Sequence, residues 1–113
     1  MSDIYDLIIN QGEDEVRVFV VVDKNRTSVP LVNFSARMQI RPTKRSDVVL
    51  DELSTDNGRL VFTEKGLELH MSNEVTSAYN FCSGVYDIEL VSPDNVVTRL
   101  VEGRVIIRHG VTR

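Results

Sequence analysis

The chain reads as an all-β protein, an antiparallel β-sandwich in one domain, and three observations point that way. Apolar residues recur with a period near two almost everywhere. Clusters of Gly, Asn, Asp and Pro interrupt the alternation every eight to twelve residues or so, roughly the strand spacing of a sandwich. No amphipathic helix recurs between the strands to cover a parallel sheet. The 113 residues, 1–113, make a single domain of ordinary size, long enough to bury a core without staples.

Residues 4–9 form a first strand, closed by Asn10-Gln11-Gly12. Residues 15–23 form a second. Val16, Val18, Val20 and Val22 share one face, with Phe19 and Val21 on the other. Two apolar faces imply a central strand covered on both sides. A polar loop follows to Pro30, and Leu31 and Val32 make a brief strand. Residues 34–41 alternate most cleanly. Phe34, Ala36, Met38 and Ile40 point to the core, Ser35, Arg37, Gln39 and Arg41 to water, and Pro42 removes a ladder donor and stops the strand.

A strand at 48–53 precedes Asp56-Asn57-Gly58, whose Asn and Gly tolerate the positive φ of a tight turn. Residues 60–63 and 67–71 pair around Glu64-Lys65-Gly66. The alternation breaks after Ser72, where Ser72 or Asn73 can cap one or two helical turns. This places a short helical crossover near 73–79. Strands at 84–91, 96–101 and 104–108 close the chain, the last two separated by Glu102-Gly103. In the first of these Tyr86, Ile88 and Leu90 face inward, Asp87 and Glu89 outward. Eight or nine short strands with one crossover suit a sandwich of the immunoglobulin-like kind. The Cys…Trp…Cys hallmark of antibody domains is absent, because the chain has one Cys and no Trp.

A net charge of −4 and scattered Lys and Arg argue against nucleic acid or an anionic membrane as partner. No stretch approaches the ~20 apolar residues of a helical membrane span, and the acidic start Met1-Ser-Asp-Ile-Tyr-Asp lacks a signal-peptide pattern. The single Cys82 allows no internal disulfide. Behind Phe81, in an apolar context, it reads as a small buried hydrophobe in a protein made in a reducing compartment.

The chemistry is sparse. A metal site needs three or four converging ligands, and His70, His109 and Cys82 sit in distant segments. His70 lies beside Glu68 on an outward face. There is no Gly-x-Ser-x-Gly elbow, the acids are spread over turns and outward faces, and the six glycines are isolated, so neither a nucleophile-base pair nor a phosphate loop is visible. The expectation is a protein without enzyme activity, cofactor or metal. Tyr79 and Phe81 are the loop aromatics that could serve a carbohydrate site.

The closing strands carry apolar residues on both faces. Val97, Arg99 and Val101 share one parity, Thr98 and Leu100 the other, and Ile106 lies among Arg104 and Arg108. Such strands are either covered twice within the fold or dock on a neighbour. The candidate protein interface is therefore Val97, Arg99, Val101, Ile106, Arg108, Val111 and Arg113.

Several segments, in order, carry a family resemblance. They are Tyr5-Asp-Leu-Ile-Ile-Asn-Gln-Gly12, Phe34-Ser-Ala-Arg-Met-Gln-Ile-Arg41, Leu50-Asp-Glu-Leu-Ser-Thr-Asp-Asn-Gly58, Gly84-Val-Tyr-Asp-Ile-Glu-Leu90, and Val97-Thr-Arg-Leu-Val-Glu-Gly103 with the ending Val111-Thr-Arg113. Spanning nearly the whole chain, they resemble small immunoglobulin-like structural proteins of tailed bacteriophages and prophages. Between Glu64 and Phe81 the chain departs from that pattern. The resemblance implies a multi-copy virion component at the tail, collar, baseplate or fibre-attachment region. Such a component is synthesised in the host cytoplasm, contacts other phage structural proteins as a homo- or hetero-oligomer, and has no catalytic role. The alternatives are a receptor- or carbohydrate-binding sandwich module and a capsid decoration protein.

Overall fold

The computed structural model describes residues 3–21 and 33–109. Nine strands and one short helix follow in order: β1 (Asp3–Ile4), β2 (Leu7–Asn10), β3 (Glu15–Phe19), β4 (Ser35–Arg41), β5 (Asp51–Ser54), β6 (Leu60–Thr63), β7 (Gly66–Met71), α1 (Asn73–Ser77), β8 (Ser83–Val91) and β9 (Val97–Arg108). The larger sheet runs β1-β9-β8-β4-β5, with β2 also on β9, and the smaller runs β3-β7-β6. The chain changes sheet from β2 to β3, from β3 to β4, from β5 to β6 and, through α1, from β7 to β8. The pairings are antiparallel except that β1 and β2 lie parallel to β9.

The core lies between the sheets. The larger sheet contributes Leu7, Ile9, Ala36, Met38, Ile40, Leu53, Ile88, Leu90, Val105 and Ile107, and the smaller Leu60, Leu67, Leu69 and Met71. The alternation expected for residues 34–41 holds in β4, where Ala36, Met38 and Ile40 are buried and Arg37 is exposed.

α1 forms where expected. The Ser72 hydroxyl accepts the Val75 N–H at 3.3 Å, satisfying one of the free donors at the helix start. The buried Thr76 hydroxyl donates to the Glu13 carbonyl at 2.8 Å and accepts the Gly12 N–H at 3.1 Å. This anchors the β2–β3 turn on the crossover.

Several expectations need correction. The two closing strands are one strand, β9, of 12 residues. Gly103 does not turn the chain. It admits the carbonyl of Tyr5, which a Cβ at position 103 would meet at 2.1 Å. The first strand is split opposite this point, at Tyr5 and Asp6, and the Asp6 carboxylate accepts the Arg104 N–H at 3.0 Å.

Among the described residues β3 is an edge strand, with β7 as its one ladder partner, and not a central one. Val16, Val18 and Val20 are 51%, 43% and 62% exposed. The apolar residues 48–50 precede β5, with Val48 and Val49 exposed. The expected extension of β3 to residues 22 and 23, and the brief strand at Leu31 and Val32, lie outside the described residues.

Candidate functional site

Alternation in three neighbouring strands builds the outer face of the larger sheet. β4 presents Arg37, Gln39 and Arg41, β8 presents Asp87 and Glu89, and β9 presents Arg99 and Glu102. Ion pairs follow, across strands for Arg37–Glu89 at 2.9 Å and Arg99–Asp87 at 3.3 Å, within β9 for Arg99–Glu102 at 3.1 Å, and from the loop after β4 for Lys44–Glu102 at 3.6 Å. Lys44, Asp87, Glu89, Arg99 and Glu102 line a shallow depression of about 310 Å³. Partial burial raises the Asp87 carboxyl pKa. Arg99 pulls it back down, and Glu89 and Glu102 add to the rise. Exposed pairs of this kind contribute little stability. Their effect is to keep this face polar and mutually neutralised.

A partly buried lock joins the two sheets. Asp51 on β5 accepts two hydrogen bonds from the Arg59 guanidinium, at 2.8 and 2.5 Å, and one from the Tyr79 hydroxyl. Burial alone would push the Asp51 carboxyl up, but the hydrogen bonds from Arg59 and Tyr79 outweigh it and hold the carboxyl below its ordinary value. Burial and the Asp51 charge drive the Tyr79 hydroxyl well above its ordinary value, so it stays a donor. Tyr79 is thus a structural residue turned inward, with Phe81 packed on it at 5.0 Å between ring centroids. It offers no stacking platform to a glycan, because its ring is buried and its hydroxyl is taken.

The candidate interface residues do not gather in one place. Val97 is exposed at the hairpin end of β9, beside Val96. Arg99 belongs to the ion-pair lattice. Val101 is 3% exposed and part of the core. A register shift explains this correction: Ile88 pairs with Val101 but Glu89 with Arg99, so Leu100 is an extra residue and the parity reverses across it. Ile106 is half-buried beside the exposed Ile8 of β2, its register partner, and Arg108 is exposed at the far end of β9. Val97 and Arg108 lie about 36 Å apart along an extended strand of this length. Val111 and Arg113 lie outside the described residues.

Two features escaped sequence reasoning. Cys82 is exposed and not buried. Its carbonyl accepts the Ile107 N–H at 2.8 Å, which fixes the backbone just before β8 while the side chain stays in water. The other is an apolar cleft of about 290 Å³ between the open edges of the two sheets. Ile4, Tyr5, Val18, Phe19, Val20 and Leu100 line it. Tyr5 and Phe19 meet there edge to face at 5.8 Å. The run of valines in β3 was the visible signal, but alternation alone cannot tell a covered strand from an exposed one.

Sheet order β3-β7-β6 against β9-β8-β4-β5, with four changes of sheet among the described residues, defines an immunoglobulin-like β-sandwich. No family model matches the chain. No curated protein matches it either. Among solved structures, extracellular domains 3–5 of Drosophila OTK align with a TM-score of 0.43 and 16% identity over 90% of this chain, which spans 32% of that one.

Proposed function

We propose that the chain is a non-enzymatic structural module of a tailed-bacteriophage particle, held there in several copies by contacts with other particle proteins. The observation that carries the contact role is the contiguous apolar surface at the open sheet edges. Ile4, Tyr5, Val18 and Val20 are exposed around one cleft there. Singly exposed apolar residues are ordinary, but a contiguous patch marks an interaction surface. The placement in a phage particle is supported by the ordered segments from Tyr5 to Gly103 that resemble phage structural proteins. The outer face of the larger sheet offers mutually paired charges, and the described residues hold no cluster of metal-ligating side chains.

Mass spectrometry of purified particles tests this reading. The chain should appear at a fixed ratio to the tail or capsid proteins, and antibody labelling should place it at one region. Particles complete in their other structural proteins but lacking this chain would sink it.

A further inference from the structure

The turn from β5 to β6 carries Asn57-Gly58, and no other asparagine of the sequence is followed by glycine. The pair is chemically distinct because glycine has no side chain to hinder attack by its own amide nitrogen. Both residues are exposed. Apart from its chain neighbours, no described atom lies within 4 Å of where a Cβ on Gly58 would sit, so water reaches the pair freely.

The Asn57 carboxamide is nonetheless tied at both ends. Its Oδ1 accepts the Ser54 N–H at 3.0 Å and the Arg59 N–H at 3.1 Å, and its Nδ2 donates to the Glu52 carbonyl at 3.1 Å. The Asn57 N–H donates to the Ser54 hydroxyl at 3.1 Å. Arg59 takes part at both ends, since its Nη1 donates to the same Glu52 carbonyl at 3.0 Å. Asp51 in turn holds the Arg59 guanidinium. The carboxamide and the Asp51 lock are thus one hydrogen-bonded network, placed where the chain leaves the larger sheet for the smaller.

We propose that Asn57 is a site of deamidation and that the Asp51–Arg59 lock governs its rate. The Gly58 amide nitrogen, having lost its proton to hydroxide, attacks Cγ of Asn57. A C–N bond forms, the Cγ–Nδ2 bond breaks, and Nδ2 leaves as ammonia with a proton from water. Water then opens the five-membered imide at either carbonyl, giving aspartate or isoaspartate. Ring closure turns the carboxamide plane toward the Gly58 nitrogen and so gives up its three hydrogen bonds. The fold therefore retards a reaction that the local sequence invites. Aspartate sets a carboxylate oxygen against the Glu52 carbonyl where Nδ2 donated, and isoaspartate lengthens the main chain by one atom. Either product strains the turn between the sheets. The inference stands independently of any placement in a phage particle.

Peptide mapping by mass spectrometry tests it. The purified protein is incubated at mildly alkaline pH, folded well below its melting temperature or unfolded in guanidinium chloride. Unfolded chains should convert at Asn57 before any other asparagine, and Gly58→Ala should remove that preference. Folded protein should convert at Asn57 at least about tenfold more slowly, each tenfold standing for about 1.4 kcal/mol in the barrier. Asp51→Asn should speed conversion in the folded protein severalfold. Gly103→Ala, which strains β9 and leaves the lock intact, should not. Equal rates in folded and unfolded protein, or another asparagine converting first in the unfolded chain, overturn the proposal. So does equal acceleration by Asp51→Asn and Gly103→Ala, which would mean that global unfolding and not the lock sets the rate.

Discussion

Asp51 shows how one residue can decide a local structure. It sits on β5 of the larger sheet and receives hydrogen bonds from Arg59, just before β6 of the smaller, and from Tyr79, just after the helix. A carboxyl held below its unfolded-state pKa lends stability above that pKa and loses it as pH falls through the folded value. Its pKa lies below the ordinary carboxyl value, because the two donors outweigh burial. Asp51→Asn is therefore expected to cost roughly 1–3 kcal/mol at neutral pH. The gap to wild type should close as pH falls through the lowered folded-state value. Denaturant melts at several pH values check this, and a gap that is the same under acid and neutral conditions would refute it. Tyr86 plays a related part by donating to the Tyr5 carbonyl at 2.5 Å, which holds the N-terminal strand.

At the scale of elements, β4 and β9 behave differently. β4 obeys strict alternation, so Met38→Asp places a charge in the centre of the core at a cost of several kcal/mol, roughly enough to unfold the domain. Gln39→Asp, on the outer face, should cost about 0.5 kcal/mol. Equal losses in chemical denaturation would mean that the two faces are exchanged. β9 breaks its own alternation at Leu100 and accepts the Tyr5 carbonyl at Gly103. Gly103→Ala should cost about 1–3 kcal/mol by forcing that carbonyl aside. Amide exchange should then show lost protection at Tyr5, Leu7 and Ile9, the amides on the side of this segment that faces β9. Unaltered exchange there would show that the approach at Gly103 matters little.

The strand positions were mostly legible because alternation and turn residues are local signals. Residues 34–41, the helix after Ser72 and the Asn57-Gly58 turn follow directly from residue type. The bulge at Leu100 was not legible, because a single extra residue leaves the composition of the strand unchanged. Neither was the role of Gly103, which depends on the backbone of a segment almost a hundred positions away. For the same reason the candidate interface at Val97, Arg99, Val101, Ile106 and Arg108 divided into core, ion-pair lattice and opposite ends.

For the whole molecule, the exposed Cys82 offers a direct check of the packing. Its thiol should react with a thiol reagent in the native protein as fast as in an exposed peptide, and the melting temperature should not respond to reductant. Protection of the thiol until unfolding would contradict its placement before β8. The two sheets close on a core without a disulfide, and stability comes from burial and the Asp51 lock. Period-two patterning and turn chemistry determined that this chain would be a β-sandwich, because those preferences act between near neighbours in sequence. Tertiary structure decided which strands became edges, since an edge is defined by the strand that does not pair with it. It thereby turned the valines of β3 from an expected interior into an open apolar surface.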